Sequence, residues 1–213
     1  MQNINRKPLI AMTLMTMVSF SNFFGVNIAG LSVSIGAVFF FINNAFEKQP
    51  SKDSGLDIKS IGSNLKDKKI WIWIVLPLIM DAVCITISKL FLPEYIEHVL
   101  ARTEIFVSFD KIILVVFQLA ILALGEEIAW RAFFQNQLSK ALPIIPALLI
   151  TSVLFAFGHF AEGNNIIVIY DIFFVFINSI LYGIIFHKSK NAWISAISHF
   201  IANLFSVIIL VFL

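Results

Sequence analysis

Glu126, Glu127, Arg131, His159, His199 and Asn203 are the residues whose types and spacing can do acid–base chemistry in this chain. All lie within strongly apolar stretches. A charge at the centre of a lipid-embedded helix costs roughly 2.5–3.5 kcal/mol on insertion scales, so ionisable residues there are functional candidates. Glu127 and Arg131 stand four apart and share a helical face, which allows an ion pair. Glu126 then points about 100° away, free of that counter-charge. His199 and Asn203 are four apart, as are Phe155 and His159. A carboxylate can take a proton from water while a histidine orients or shares it. A second histidine and an amide can donate to a developing oxyanion. Glu126 with His159, and His199 with Asn203, supply these two halves of a hydrolytic site. Glu126, His159 and His199 also resemble a catalytic zinc set with an open position. Spacing does not separate the two chemistries.

Each residue taken singly has a plainer reading. Glu127–Arg131 is expected to be a structural ion pair. A lone interior histidine, or an asparagine bonding a neighbouring helix, would be ordinary. It is their occurrence together on three successive apolar stretches that points to a site. Asp81 and Asp171 stand alone in other stretches and are expected to bond neighbouring helices. His98 and His187 fall in or near connections and are expected to be solvated. Cys84 has no adjacent histidine, and there is no G-x-S-x-G, no H-E-x-x-H and no glycine-rich phosphate loop.

The elements that must position these groups follow from composition. The chain has 213 residues, 59% hydrophobic against 13% charged, with mean hydropathy +0.92. A soluble domain runs nearer 45–50% apolar and about 25% charged. Net charge is only +2, which argues against nucleic acid as a partner. Seven apolar stretches approach the roughly 20 residues that a spanning helix needs. They are Lys7–Phe24, Asn27–Phe46, Ile70–Phe91, Lys111–Lys140, Leu142–Phe160, Ile166–Phe186 and Ala192–Leu213. No small-residue cleavage site follows the first, so no removable signal peptide is expected. Twelve of the fifteen lysines and arginines fall on one side of this arrangement. That bias places the N-terminus in the cytoplasm of a multi-pass protein, with the plasma membrane as its expected location.

The polar connection Glu47–Lys69 reads as either a solvated linker or a short surface helix over Leu56–Leu65. Leu92–Asp110 reads as an outward loop. His159 would lie about 26 Å along its span and His199 about 10 Å along the last. The two histidines meet only if the Arg131–Pro146 hairpin protrudes and residues 162–165 line a wet cavity. The reading is therefore an all-α, polytopic transmembrane helical bundle of about seven spans. It is a single membrane domain, 1–213, with a polar intramembrane cavity open to the cytoplasmic side. The motif-bearing half is about 111–213.

Glu126-Glu127-Ile128-Ala129-Trp130-Arg131 matches E-E-x-x-x-R, Phe155–His159 matches F-x-x-x-H, and His199–Asn203 matches H-x-x-x-N. In this order, on successive membrane helices, they resemble the CPBP family of CAAX proteases and bacteriocin-processing enzymes, also called the Abi family. The resemblance covers roughly half the chain and implies an intramembrane endopeptidase similar to type II CAAX prenyl endopeptidases. It implies that Glu126 and His159 activate water, that His199 and Asn203 form the oxyanion site, and that Glu127 and Arg131 support them. No metal is expected to be obligatory; a divalent ion such as zinc, if present, would fall to Glu126, His159 and His199. The implied partners are membrane lipid and a peptide or protein substrate entering from the membrane or the cytoplasmic side. Family members often have eight spans, whereas this sequence ends within the helix carrying His199 and Asn203. Two further readings compete. One is a non-catalytic bacteriocin self-immunity or scaffold protein of the same fold. The other is a small transporter using Glu126, Asp81 and Asp171, which lacks the internal repeat such proteins often show.

Overall fold

Long apolar runs make the helices here, and polar punctuation ends them. The computed structural model describes residues 5–23, 26–27, 30–47, 54–104, 107 and 111–212. The order is α1 (Arg6–Ser19), a two-residue antiparallel ladder of β1 (Asn22–Phe23) and β2 (Val26–Asn27), then α2 (Gly30–Glu47). A 3₁₀ turn (Ile58–Ser60) leads into α3 (Ile61–Lys66), α4 (Lys68–Phe91) and α5 (Glu94–Thr103). Next come α6 (Ile112–Glu127), a π-helical segment (Ile128–Gln135) and α7 (Asn136–Ala141), which run on as one stretch. The chain closes with α8 (Ile144–Phe157), α9 (Asn165–Ser189) and α10 (Ala192–Phe212). Side-chain caps mark the starts: Asp67 accepts from the Lys69 N–H at 2.9 Å, and Asn164 from the Ile166 N–H at 2.9 Å. Lys190 ends α9 in the left-handed region, φ 54°, its N–H bonding the Phe186 carbonyl at 2.7 Å.

The described residues are helical apart from the short ladder and the connecting turns. Among them, five stretches are long and apolar enough to cross a membrane: α2, α4, α6 through α7, α9 and α10. This differs from the seven anticipated. The first and fifth candidates became helices of 14 residues each, α1 and α8. Such a helix is about 21 Å long, short of a hydrocarbon core of about 30 Å. Counting apolar residues had absorbed the turns that stop them. α1 gives out at Ser19 before Ser21 and Asn22, and α8 is bounded by Pro143 and Gly158.

Charged and polar side chains of the spanning helices are buried with part of the apolar ones, and many other apolar side chains face outward, as lipid allows. Glu127 and Arg131 are fully buried, whereas Ile113 is 84% and Ile169 69% exposed. α4, α9 and α10 pack on one another, α10 also on α6, α2 on the π segment and α1 on α2. The α2 contact is close because position 36 is glycine. A Cβ there would lie 2.6 Å from Ala129 Cβ and 2.9 Å from its Cα.

Two connections bear on what the sequence left open or read differently. Residues 48–53 of the polar connection lie outside the described residues; its second half takes the short-helix form, one of its two expected readings, over Ile58–Ser60 and Ile61–Lys66. It is tied down by Asn191, whose Nδ2 donates to the Asp57 carbonyl at 2.7 Å and to Ser60 Oγ at 2.9 Å. Lys140 pairs with Glu47 at 3.4 Å, so the lysine-bearing connections gather at one end of the bundle. The second is 92–110, expected as an outward loop. It contains α5, which folds back against α4 and α9. Its anchor is Tyr95, whose hydroxyl accepts from Cys84 Sγ at 3.3 Å. Burial holds the Tyr95 phenol well above its usual pKa, so it stays a neutral partner.

Candidate active site

Three helices and one turn bring the motif residues together. Glu126 and Glu127 end α6, and Arg131 lies in the π segment. π turns are rare inside helices and concentrate at functional sites. Here Arg131 Nη2 donates to Ser179 Oγ at 3.1 Å, and Gln135 Nε2 to the Gly183 carbonyl at 3.0 Å. Both acceptors belong to α9, so this face of the π segment is pinned to that helix.

The ion pair expected from spacing is present: Arg131 Nε lies 3.4 Å from Glu127 Oε2, both side chains fully buried. Glu127 has a second partner that helical spacing did not reveal. Its Oε1 lies 3.1 Å from His199 Nδ1. A carboxylate only accepts, so Nδ1 carries the hydrogen and His199 turns its Nε2 inward. His159 is set in the same way by a different acceptor, its Nδ1 lying 2.9 Å from the Phe155 carbonyl. Its Nε2 is likewise free to face the site.

Glu126 occupies the point where both imidazoles aim. Its Oε1 lies 4.0 Å from His159 Nε2, and its Oε2 lies 3.6 Å from His199 Nε2. These separations exceed a direct hydrogen bond. Glu126 is 19% and His159 28% exposed, so this centre is partly open. Asn203 lies one turn beyond His199 on α10, half-buried. No hydrogen bond joins it to the other site residues. No group of three or more metal-ligating side chains among the described residues is arranged to hold an ion.

Two aromatic rings hold the imidazoles. Tyr182 stacks on His199 with centroids 4.3 Å apart and planes 17° apart. The Phe155 ring lies 4.5 Å from His159 and 6.3 Å from His199, with the Arg131 guanidinium 4.8 Å above it. The F of F-x-x-x-H thus has a physical job, and Tyr182 is a site neighbour that nothing in the sequence flagged.

Of the remaining ionisable residues, Asp81 accepts from Asn178 Nδ2 and from Ser206 Oγ, joining α4 to α9 and α10 as expected. Asp171 does bond another element, but α5 rather than a spanning helix. Arg102 Nη2 lies 3.2 Å from one of its oxygens and His98 Nε2 3.6 Å from the other. His98 is therefore largely buried rather than solvated, whereas His187 is exposed. A cleft between α1 and α2, lined by Arg6, Lys7, Phe39 and Phe46, shares none of the site residues.

Residues 108–205, a little under half of the chain, match the family model described as type II CAAX prenyl endopeptidase Rce1-like. That is consistent with the CPBP resemblance of the three motifs, all of which fall inside the matched segment. It is a protease family. Five apolar helices of spanning length together with this match fit an integral membrane protein. Comparison with curated proteins and with solved structures gave no match.

Proposed function

With a membrane-protease family match over its motif-bearing half as the premise, we propose that this chain is an intramembrane endopeptidase. It hydrolyses a peptide bond in a segment entering from the membrane or the cytoplasmic side. The observation that carries the reading is Glu126 set between the Nε2 atoms of His159 and His199, at 4.0 and 3.6 Å.

The chemistry follows from the tautomers. A water near Glu126 gives one proton to the carboxylate, and its oxygen attacks the substrate carbonyl carbon. Neutral His159, with Nε2 as an acceptor, orients that water. Negative charge then develops on the carbonyl oxygen. His199 is held through Nδ1 by Glu127, and it is the doubly protonated ring that has an N–H on Nε2 to offer, with Glu127 beside it as counter-charge. It donates to the oxyanion together with the Asn203 amide. When the C–N bond breaks, the proton held by Glu126 passes to the departing amine. Water and one peptide bond become a carboxylic acid and an amine, and transfer of the remaining carboxyl proton to the amine leaves a carboxylate and an ammonium.

Arg131 and Ser179 keep Glu127 in place, and Phe155 and Tyr182 hold the rings. The chemistry requires no metal, and the centre opens to the cytoplasmic side. The lysine-rich end of the bundle faces the cytoplasm of the plasma membrane with the N-terminus, and lipid surrounds the exposed apolar faces.

The test is cleavage of a candidate C-terminal motif peptide, prenylated and unmodified, by the full chain in liposomes. Glu126→Ala and His159→Ala are each expected to abolish turnover while the protein still folds. Cleavage that survives both changes overturns the mechanism. A wild-type chain that binds the peptide but never cleaves it favours the non-catalytic role.

A further inference from the structure

His159 is the one residue of the proposed machinery that no helix holds. It sits in the 158–164 turn between α8 and α9. Local bonds define the turn's first half: the His159 N–H donates to the Ala156 carbonyl at 3.0 Å, and the Phe160 N–H to the Phe157 carbonyl at 3.0 Å. The His159 carbonyl is engaged from far away in sequence, accepting from Arg102 Nη1 at 3.3 Å. The same guanidinium donates through Nη2 to Asp171 Oδ1 at 3.2 Å. Asp171 is 2% exposed and lies in the second turn of α9. Its other oxygen faces His98 Nε2, one turn before Arg102 on α5. The His98 ring also rests against the far half of the turn. A Cβ at Gly163 would lie 3.0 Å from its Nδ1, a tight contact that the ring would have to ease by a few tenths of an ångström, so glycine favours that approach.

We infer that Arg102 and Asp171, assisted by His98, form a clamp that fixes the turn carrying His159 and so aims its Nε2 at Glu126. They are positioning residues, since none of them touches Glu126 or the water it would activate. The inference rests on the reading of His159 as catalytic.

Three physical points support it. A guanidinium fork can satisfy two acceptors at fixed geometry, which a lysine ammonium cannot do in the same way. Asp171 is a buried carboxylate, and such a group is retained only with a partner. His159 already stands at 4.0 Å from Glu126, so a small drift of its backbone breaks the relation. The clamp also accounts for α5, which would otherwise be an amphipathic helix with no part in the site.

The test uses the full chain in nanodiscs with four variants: Arg102→Ala, Arg102→Lys, Asp171→Asn and the double Arg102→Ala/Asp171→Asn. Two readouts separate positioning from bulk stability. The first is peptide cleavage, resolved into kcat and KM. The second is hydrogen exchange of the peptide spanning 158–164. A misplacement of about 1 Å can cost about 100-fold in rate, and a kcat loss of that order with KM nearly unchanged is expected in Arg102→Lys. The double variant leaves no buried charge unpaired, so its melting temperature recovers towards wild type while kcat stays low. Exchange across 158–164 rises in all four variants and stays constant in α4 and α10.

A double variant whose kcat recovers along with its melting temperature overturns positioning in favour of a structural ion pair. Unchanged exchange across 158–164 overturns the clamp itself, whatever the activity. A wild-type chain inert on every peptide overturns the protease reading. The exchange measurement still decides whether Arg102 and Asp171 hold the turn.

Discussion

His199 and Glu127 lie 72 residues apart in sequence, and their side chains meet at 3.1 Å. Glu127 therefore does two things at once, pairing with Arg131 along its own helix and fixing the tautomer of an imidazole from α10. Glu127 is thus tied to a side chain of another helix as well as to Arg131 on its own.

Glu127→Gln tests that double duty. It keeps the shape but leaves the Arg131 guanidinium buried without a counter-charge. Breaking one partner of a buried pair costs roughly 3–5 kcal/mol. A large fall in melting temperature is expected, and cleavage per folded molecule should also fall because His199 loses its orienting carboxylate. A variant of wild-type stability would mean that the pair is not buried as described.

Gly36→Ala should be disruptive although it adds a single methyl. Its Cβ would meet Ala129 Cβ at 2.6 Å and Ala129 Cα at 2.9 Å, and backbone cannot move aside as a side chain can. Overpacking of this kind costs about 1–3 kcal/mol. The displaced segment begins directly after Glu127, so activity should drop as well. Gly62→Ala is the control, since a Cβ there meets nothing within 4 Å and a loss there would point to a general intolerance of glycine replacement.

Cleavage should persist in the presence of strong chelators. The proposed chemistry runs on Glu126 and two imidazoles, with water as nucleophile and no metal-bound intermediate. Activity that disappears with chelator and returns on adding zinc would replace this mechanism with a metal-assisted one.

Glu162→Cys reports on access to the centre. Glu162 is only three residues beyond His159 in the same turn, and a membrane-impermeant thiol reagent added from the cytoplasmic side is expected to label it. Cys84 is 3% exposed and serves as the internal unlabelled reference. Complete protection of position 162 from that side would count against a centre open to the cytoplasm.

The three motifs were readable because lipid is intolerant of charge: an ionisable residue in an apolar run is a signal against a quiet background. The Glu127–Arg131 pair was readable too, since four-residue spacing fixes neighbours on one helix. Arg102 and His98 were not. They sit in a mixed polar segment that composition alone assigns to a loop, and their partner Asp171 is 69 residues from Arg102. Tyr182 is one aromatic among many, and its stacking on His199 leaves no mark in the pattern of residues. Two of the seven anticipated stretches form helices shorter than the apolar runs suggest, for a related reason. Apolar composition extends past the point where Ser21 and Asn22 end α1, and past Gly158, where α8 ends.

By itself, the amino-acid sequence determined what is set by solvent and by local helical geometry. A chain this apolar must be a helical membrane bundle, and residues four apart on one helix must share a face. The tertiary structure alone decided which of those faces meet. Glu126 finds itself between two imidazoles, and His159 sits at the mercy of a guanidinium on α5, because of how α5, α9 and α10 pack. Those contacts join residues 33 to 73 positions apart. Their pairing is chosen by the packing of whole helices, a property that no local window of sequence contains.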